Sequence, residues 1–260
     1  MIWNRLCEFI SGRVPRGTLL SALIPLIFIC YFGTITFVTL FLPESYDWRS
    51  SVISNLLSPR HNPQFHWVAS LGLSLTGFLA IPFGGYIRDR LRPASNVGAT
   101  IGMTAFITGF VNLILAATIV TRRSDSVIGK FGIHEIFART SALALGIGVV
   151  CFCGCVLQGF FAFRANRKLY TKGLVFTWSM LTFLPLLAAL TCAFCSFLPS
   201  VGIPWLVPPY ELLRRSPLWK LAFWEWVGSV AFFLFLVSAA LLLPKQGRED
   251  ESGRTGTRAN

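Results

Sequence analysis

The chain alternates between long apolar stretches and short polar connections. A bilayer core of ~30 Å takes about 20 residues of helix at ~1.5 Å per residue. Six stretches reach that length: 19–42, 65–87, 96–120, 136–163, 174–199 and 221–243. The pattern predicts an all-α protein, a polytopic membrane bundle of six transmembrane helices. It also divides the chain into an N-terminal segment 1–18, a transmembrane domain 19–243 and a tail 244–260.

Composition excludes a water-soluble fold. Of the 260 residues, 54% are hydrophobic and only 13% are charged, about half of the ~25% that a soluble domain carries. So few charges could not cover a surface in water, so the apolar excess must face lipid. The charged, glycine-rich tail 244–260 is typical of disorder.

Lysine and arginine are unequally divided between the two sides of the predicted bundle. Segment 1–18, the second and fourth connections and the tail together carry 14 of them, against 8 in the other connections. The positive-inside rule then places both termini in the cytoplasm of a multi-pass protein of the cell membrane. Basic loops attract anionic lipids, so the net charge of +12 implies membrane lipids as partners and no nucleic acid.

Small residues indicate how the helices pack. In lipid, helices associate through close contacts of small side chains. The second, third and fourth stretches carry such positions, which we interpret as packing faces: Gly72, Gly77, Gly98, Gly102, Gly146, Gly148 and Gly154.

Polar residues converge on one side of the predicted membrane, the outer side. All three histidines fall there, together with charged residues at the outer ends of the fourth and sixth helices. Glu135 and Arg139 are four residues apart and can pair on one helical face, while Arg139 or a histidine is the expected partner of Glu225. The predicted outer-face pocket comprises Ser54, Asn55, His61, His66, His134, Glu135, Arg139 and Glu225.

This pocket is compatible with more than one class of function. It suits a protein that binds a lipid head group or a membrane protein partner, or a lipid-modifying hydrolase or transferase in which His134 or His66 is the base and Ser54 the nucleophile. A small-solute transporter fits less well, because only Asn112 is a strongly polar residue near the midplane. Whether the chain is an enzyme stays open, and no cofactor is predicted.

The predicted helix positions do not bring the cysteines together into a metal site. Cys192-x-x-Cys195 lies near the outer end of the fifth helix, whereas the cysteines at 151, 153 and 155 lie in the inner half of the fourth. The two groups are therefore too far apart to share an ion.

The stretch Ser51–His66, which leads into the second helix, resembles the signature of the DRAM/Frag/Sfk group of six-helix membrane proteins. It is equally similar to an adjoining, largely bacterial family of unknown function. The sequence 53–55 (Ile-Ser-Asn) and Pro63 match the outer-loop motif, and His134 with Ala138 matches a motif that opens the fourth helix. Two positions depart from the pattern: Asn55 replaces an acidic residue, and Leu57 replaces a glycine.

The wider clan includes proteins that resemble zinc amidohydrolases, with three histidines, a serine and an aspartate. Their signature contains a His-x-x-x-His pair that presents both imidazoles to zinc from one helical face. This chain has no such pair, and its sixth helix has no histidine. We therefore predict no metal.

Overall fold

A computed structural model describes residues 8–9, 11–42, 46–48, 51–119, 126–128, 131–161, 170–197, 211 and 215–244. Six long helices follow one another: α1 Arg16–Leu40, α2 His66–Leu91, α3 Asn96–Thr118, α4 Ile133–Phe161, α5 Lys172–Phe197 and α6 Leu221–Leu242. A 3-10 turn, Ile53–Leu57, precedes α2, and another, Pro217–Trp219, precedes α6. Strands Ser126–Ile128 and Phe131–Gly132 form a two-stranded antiparallel ladder before α4.

The helical bundle confirms the predicted fold class. Five helices, α1 to α4 and α6, are long and apolar enough to cross a membrane. Within α5, Lys172–Ala188 is likewise an apolar helical segment. Most of the tail, 245–260, and the cysteine side chains at 192 and 195 lie outside the described residues.

Local sequence signals explain where the helices begin and turn. Ser95 caps α3 by accepting a hydrogen bond from the backbone N–H of Gly98 at 3.2 Å, which is the usual role of a serine at this position. Tyr170, just before α5, donates a hydrogen bond to the Arg90 carbonyl at 3.1 Å. This bond ties the start of α5 to the end of α2.

Glycines allow α3 and α4 to approach closely. A Cβ on Gly102 would lie 2.7 Å from the Phe152 ring, and one on Gly148 would lie 3.1 Å from the Gly102 carbonyl. The predicted packing role is therefore confirmed at these positions, but it is wrong at Gly146 and Gly154. Both are exposed, and a Cβ on either would have no neighbour within 4 Å.

The N-terminal segment packs along α2. Gly12 has φ of +74°, and a Cβ there would lie 2.2 Å from the backbone nitrogen of Tyr86. Gly85 is equally constrained, because its Cβ would meet the Ser11 carbonyl oxygen at 2.1 Å. Phe9 stacks on Phe78, with ring centroids 5.7 Å apart. Part of the predicted segment 1–18 therefore contacts the helical bundle.

Aromatic rings fill the centre of the bundle. Phe106 of α3 contacts Phe152 of α4 and Phe232 of α6, with ring centroids 5.7 and 5.5 Å apart. Trp178 of α5 is fully buried and donates its indole N–H to the Ser238 hydroxyl at 2.9 Å. These contacts hold α3, α4, α5 and α6 around one core.

Candidate functional site

A cavity of about 900 Å³ lies within the bundle and is lined by residues of all six helices and of the 3-10 turn Ile53–Leu57. Along α4 it extends from His134 to Cys151, about 25 Å at ~1.5 Å per residue. Its walls are mostly aliphatic and aromatic. Its polar lining residues are Tyr31, Ser54, Thr76, His134, Ser141, Cys151, Thr182, Trp224, Glu225 and Ser229.

Glu225 anchors the connection between α1 and α2. Its carboxylate accepts a hydrogen bond from the backbone N–H of Ile53 at 2.5 Å and another from the backbone N–H of Ser54. These N–H groups begin the 3-10 turn, where backbone donors lack helical partners. The carboxylate is thus held by the loop backbone and not by the arginine or histidine that the sequence suggested.

Two hydroxyl groups extend the polar end of the cavity. Ser229 lies one helical turn after Glu225, donates to the Glu225 carbonyl at 2.6 Å and shares a short hydrogen bond with the Tyr31 hydroxyl. Nearby, Tyr46 donates to the Ser51 carbonyl at 2.7 Å. Burial, reinforced by the Glu225 carboxylate, raises the pKa of Tyr46, so its phenol stays a neutral donor.

His134 lines the same cavity from the second position of α4. Its Nδ1 lies 2.7 Å from the Ala116 carbonyl oxygen at the end of α3, so Nδ1 carries the proton and donates to that oxygen. In the neutral imidazole, Nε2 then has the free lone pair. The geometry therefore provides a hydrogen-bond acceptor, or a base, at the cavity end that His134, Ser54 and Glu225 define. We refer to it as the His134 end.

The other two predicted histidines do not line this cavity. His61 is exposed in the loop, and His66 has Nδ1 3.2 Å from the Asn62 carbonyl oxygen. His66 instead lines a separate cleft of about 430 Å³ with Trp67, Ser70, Leu71, Ser74 and Thr118. Asn55 is half-buried in the 3-10 turn and is also outside the cavity lining.

Glu135 and Arg139 form the predicted i, i+4 pair. Arg139 donates to Glu135 Oε1 from Nη2 at 2.6 Å and from Nε at 3.2 Å. Their side chains are 44% and 63% exposed, respectively. The pair therefore lies on the surface of α4, outside the cavity.

Deeper in the cavity, polar side chains are mostly satisfied by backbone carbonyls. Ser141 donates to the Gly109 carbonyl and Thr76 to the Gly72 carbonyl, each at 2.8 Å. Thr182 is 8% exposed and makes no hydrogen bond of normal geometry, and the Cys153 thiol lies beside it. The body of the cavity is therefore suited to apolar groups.

No group of three or more histidine, cysteine or acidic side chains comes together within the described part of the chain. Four cysteines whose side chains are described are free thiols: Cys30, Cys151, Cys153 and Cys155.

Sequence reasoning missed several polar residues of the cavity, among them Tyr31, Thr182 and Ser229. Ser229 had a usable signal, since it stands four residues after Glu225 and so shares its helical face. Tyr31 and Thr182 stand within apolar stretches with no charged neighbour at helical spacing, so their direction could not be read from the pattern.

Comparison with protein families, with curated proteins and with solved structures gives no match to this chain. The resemblance to the DRAM/Frag/Sfk group therefore stays a prediction.

Proposed function

We propose that the protein binds a lipid-like amphiphile in the bundle cavity, with the ligand's polar group at the His134 end and its apolar part in the body. One observation carries this proposal: a single cavity joins the polar side chains of Ser54, His134 and Glu225 to about 25 Å of apolar wall. Its volume of about 900 Å³ lies within the range of ~300–1,000 Å³ that small-molecule sites occupy.

The polar end determines which ligand is selected. A hydrocarbon chain gains little by leaving lipid for the cavity, because lipid tails are as apolar as the cavity wall. Hydrogen bonds to the ligand's polar group, in contrast, form in a medium without competing water and so distinguish one lipid from another. Removing a hydrogen-bonding group at the His134 end should therefore reduce affinity more than removing an apolar contact.

Native mass spectrometry of the protein extracted from membranes tests this proposal. The wild type should carry a co-purifying lipid, and His134→Ala should lower its occupancy by about tenfold, the equivalent of about 1.4 kcal/mol. His66→Ala is the matched control, because His66 is at the same end of the bundle but outside the cavity. An equal loss in both variants, or no bound lipid in the wild type, would contradict the proposal.

A lipid hydrolase is the second candidate, favoured by one observation. The hydrogen bond from His134 Nδ1 to the Ala116 carbonyl leaves Nε2 as a potential base in a cavity that Ser54 also lines. Binding has the stronger support, because the Glu225 carboxylate contacts Ile53 and Ser54 backbone groups and does not orient the imidazole. Release of fatty acid from ester lipids that is abolished by Ser54→Ala would favour the hydrolase.

We also propose that the chain resides in the cell membrane with both termini in the cytoplasm, so that the His134 end faces outwards. The support is the excess of lysine and arginine on the opposite side. A reporter fused after Asn260 should be active only in the cytoplasm. An externally active reporter would show that the chain has the opposite orientation, but it would not bear on the cavity.

A further inference from the structure

The cavity wall is open to its surroundings along one side. Five cavity-lining residues of α4 are also solvent-exposed in the isolated chain: Ala142, Leu143, Gly146, Ile147 and Val150. Positions 143, 147 and 150 repeat at helical spacing and so form one stripe. On α5, Leu186 also lines the cavity and is 44% exposed. We call this side the α4–α5 opening.

The α4–α5 opening faces hydrocarbon. Its residues belong to the membrane-spanning part of α4 and to the apolar part of α5, and they are apolar side chains or glycine. A charged or strongly polar solute could not cross such a border cheaply. A lipid already in the bilayer can slide its chain through the opening sideways without exposing the chain to water.

Charge complementarity at the His134 end narrows the ligand class. Among the described residues, no lysine or arginine lines the cavity, whereas the Glu225 carboxylate and His134 Nε2 are both acceptors. A phosphate or carboxylate head would lie near the Glu225 charge without a cation, and such repulsion is strong in a low dielectric. A hydroxyl group can instead donate to these acceptors.

Resting on the proposed function, we infer that the ligand is an uncharged, hydroxyl-bearing lipid that reaches the cavity sideways through the α4–α5 opening. Its hydroxyls donate to Glu225 and His134 Nε2 and can also pair with Ser54, whose hydroxyl has no protein partner in the described part of the chain. The two Glu225 hydrogen bonds to the loop persist, because a carboxylate offers about four lone-pair sites.

Photo-crosslinking in nanodiscs of phosphatidylcholine, a zwitterionic phospholipid, tests this inference. The probes are a monoacylglycerol, a phosphatidic acid and a long-chain amine, each with a diazirine in its acyl chain. The monoacylglycerol should label α4 or α5 peptides saturably, with unlabelled monoacylglycerol as competitor. The phosphatidic acid and the amine should label them at least about tenfold less.

Glycine positions provide matched variants that block the opening. Gly146 lines the opening, and Gly154 is exposed on the same helix but outside the cavity; a Cβ on either meets no atom within 4 Å. Gly146→Trp should therefore reduce labelling by about tenfold, and Gly154→Trp should leave it within about twofold. Gly146→Leu serves if Gly146→Trp fails to fold. Gly228→Leu fills the cavity itself from α6, where a Cβ also meets nothing within 4 Å, and so tests whether the labelled lipid lies in the cavity.

The outcomes separate this inference from the proposed function. Preferential saturable labelling by the phosphatidic acid or the amine would overturn the uncharged ligand class while leaving a lipid-binding cavity. Equal labelling of Gly146→Trp and Gly154→Trp, with Gly228→Leu reducing it, would overturn the sideways route. Absence of saturable labelling by every probe, in a wild type whose fold is verified by circular dichroism, would overturn both.

Discussion

Removal of the Glu225 carboxylate should release the loop that precedes α2. In the folded protein this carboxylate accepts hydrogen bonds from the backbone N–H groups of Ile53 and Ser54. Ile53 is only 6% exposed, so its N–H has little access to water if the acceptor is lost. Hydrogen bonds to a charged group contribute about 1.5–3 kcal/mol each to stability. A buried donor that is left without an acceptor adds part of its desolvation free energy to that loss.

Glu225→Ala should therefore lower the free energy of opening this loop by about 3 kcal/mol. In Glu225→Gln an amide oxygen can still accept, so about half of that loss is expected. Since 1.4 kcal/mol corresponds to a tenfold change, amide hydrogen exchange of a peptide covering Ile53–Leu57 should accelerate about a hundredfold in the alanine variant. The glutamine variant should accelerate about tenfold.

Exchange measured by mass spectrometry on the protein in detergent gives the required local resolution. Glu211→Ala is the control, because the Glu211 side chain is exposed and its removal takes one negative charge from the same side of the bundle. Unchanged exchange over Ile53–Leu57 in both Glu225 variants would refute the anchoring role. Acceleration of equal size in Glu211→Ala would show that the faster exchange is a general effect of lost negative charge and not of the Glu225 anchor.

Two stability predictions follow from packing and burial elsewhere. Gly109→Ala should lower the thermal midpoint of unfolding by the equivalent of about 1–3 kcal/mol, because the new Cβ would lie 2.6 Å from Leu145. Gly154→Ala is the control and should leave the midpoint unchanged. Equal midpoints in the two variants would contradict the packing argument. Tyr170→Phe should cost about 1 kcal/mol at neutral pH through its lost bond to the Arg90 carbonyl. Burial raises the pKa of Tyr170, so the unfolded phenol ionises first, and the wild-type advantage should shrink above about pH 10; a pH-independent difference would contradict this reasoning.

The helices could be predicted from the sequence because their signal is repeated many times along the chain. Each stretch of about 20 apolar residues has one stable arrangement in lipid, since its backbone polar groups must be satisfied within the segment. Charged and proline-containing turns then mark the boundaries. For this reason the observed helix α2, His66–Leu91, differs from the predicted 65–87 mainly by its last turn, which contains Arg88 and Arg90.

The site could be predicted only in part, because whether a residue lines the cavity depends on the direction of its side chain. His66 and His134 are both near the same end of the bundle, but one lines the cleft on α2 and the other the cavity. Helical spacing placed Arg139 beside Glu135 correctly, since that contact is local. The bond between Glu225 and Ile53 joins residues 172 positions apart, and no local pattern encodes such a pairing.

Glu225 also explains why an uncharged ligand suits the His134 end better than an anionic one. An anion would compete with the carboxylate for the N–H groups of Ile53 and Ser54, so its binding would have to detach the loop that forms part of the cavity wall. A hydroxyl donor adds to the carboxylate's remaining lone pairs and leaves that wall in place. Binding of an anion would therefore destabilise the folded loop, whereas binding of a hydroxyl donor would stabilise it. The loop anchor and the proposed ligand preference therefore depend on the same side chain.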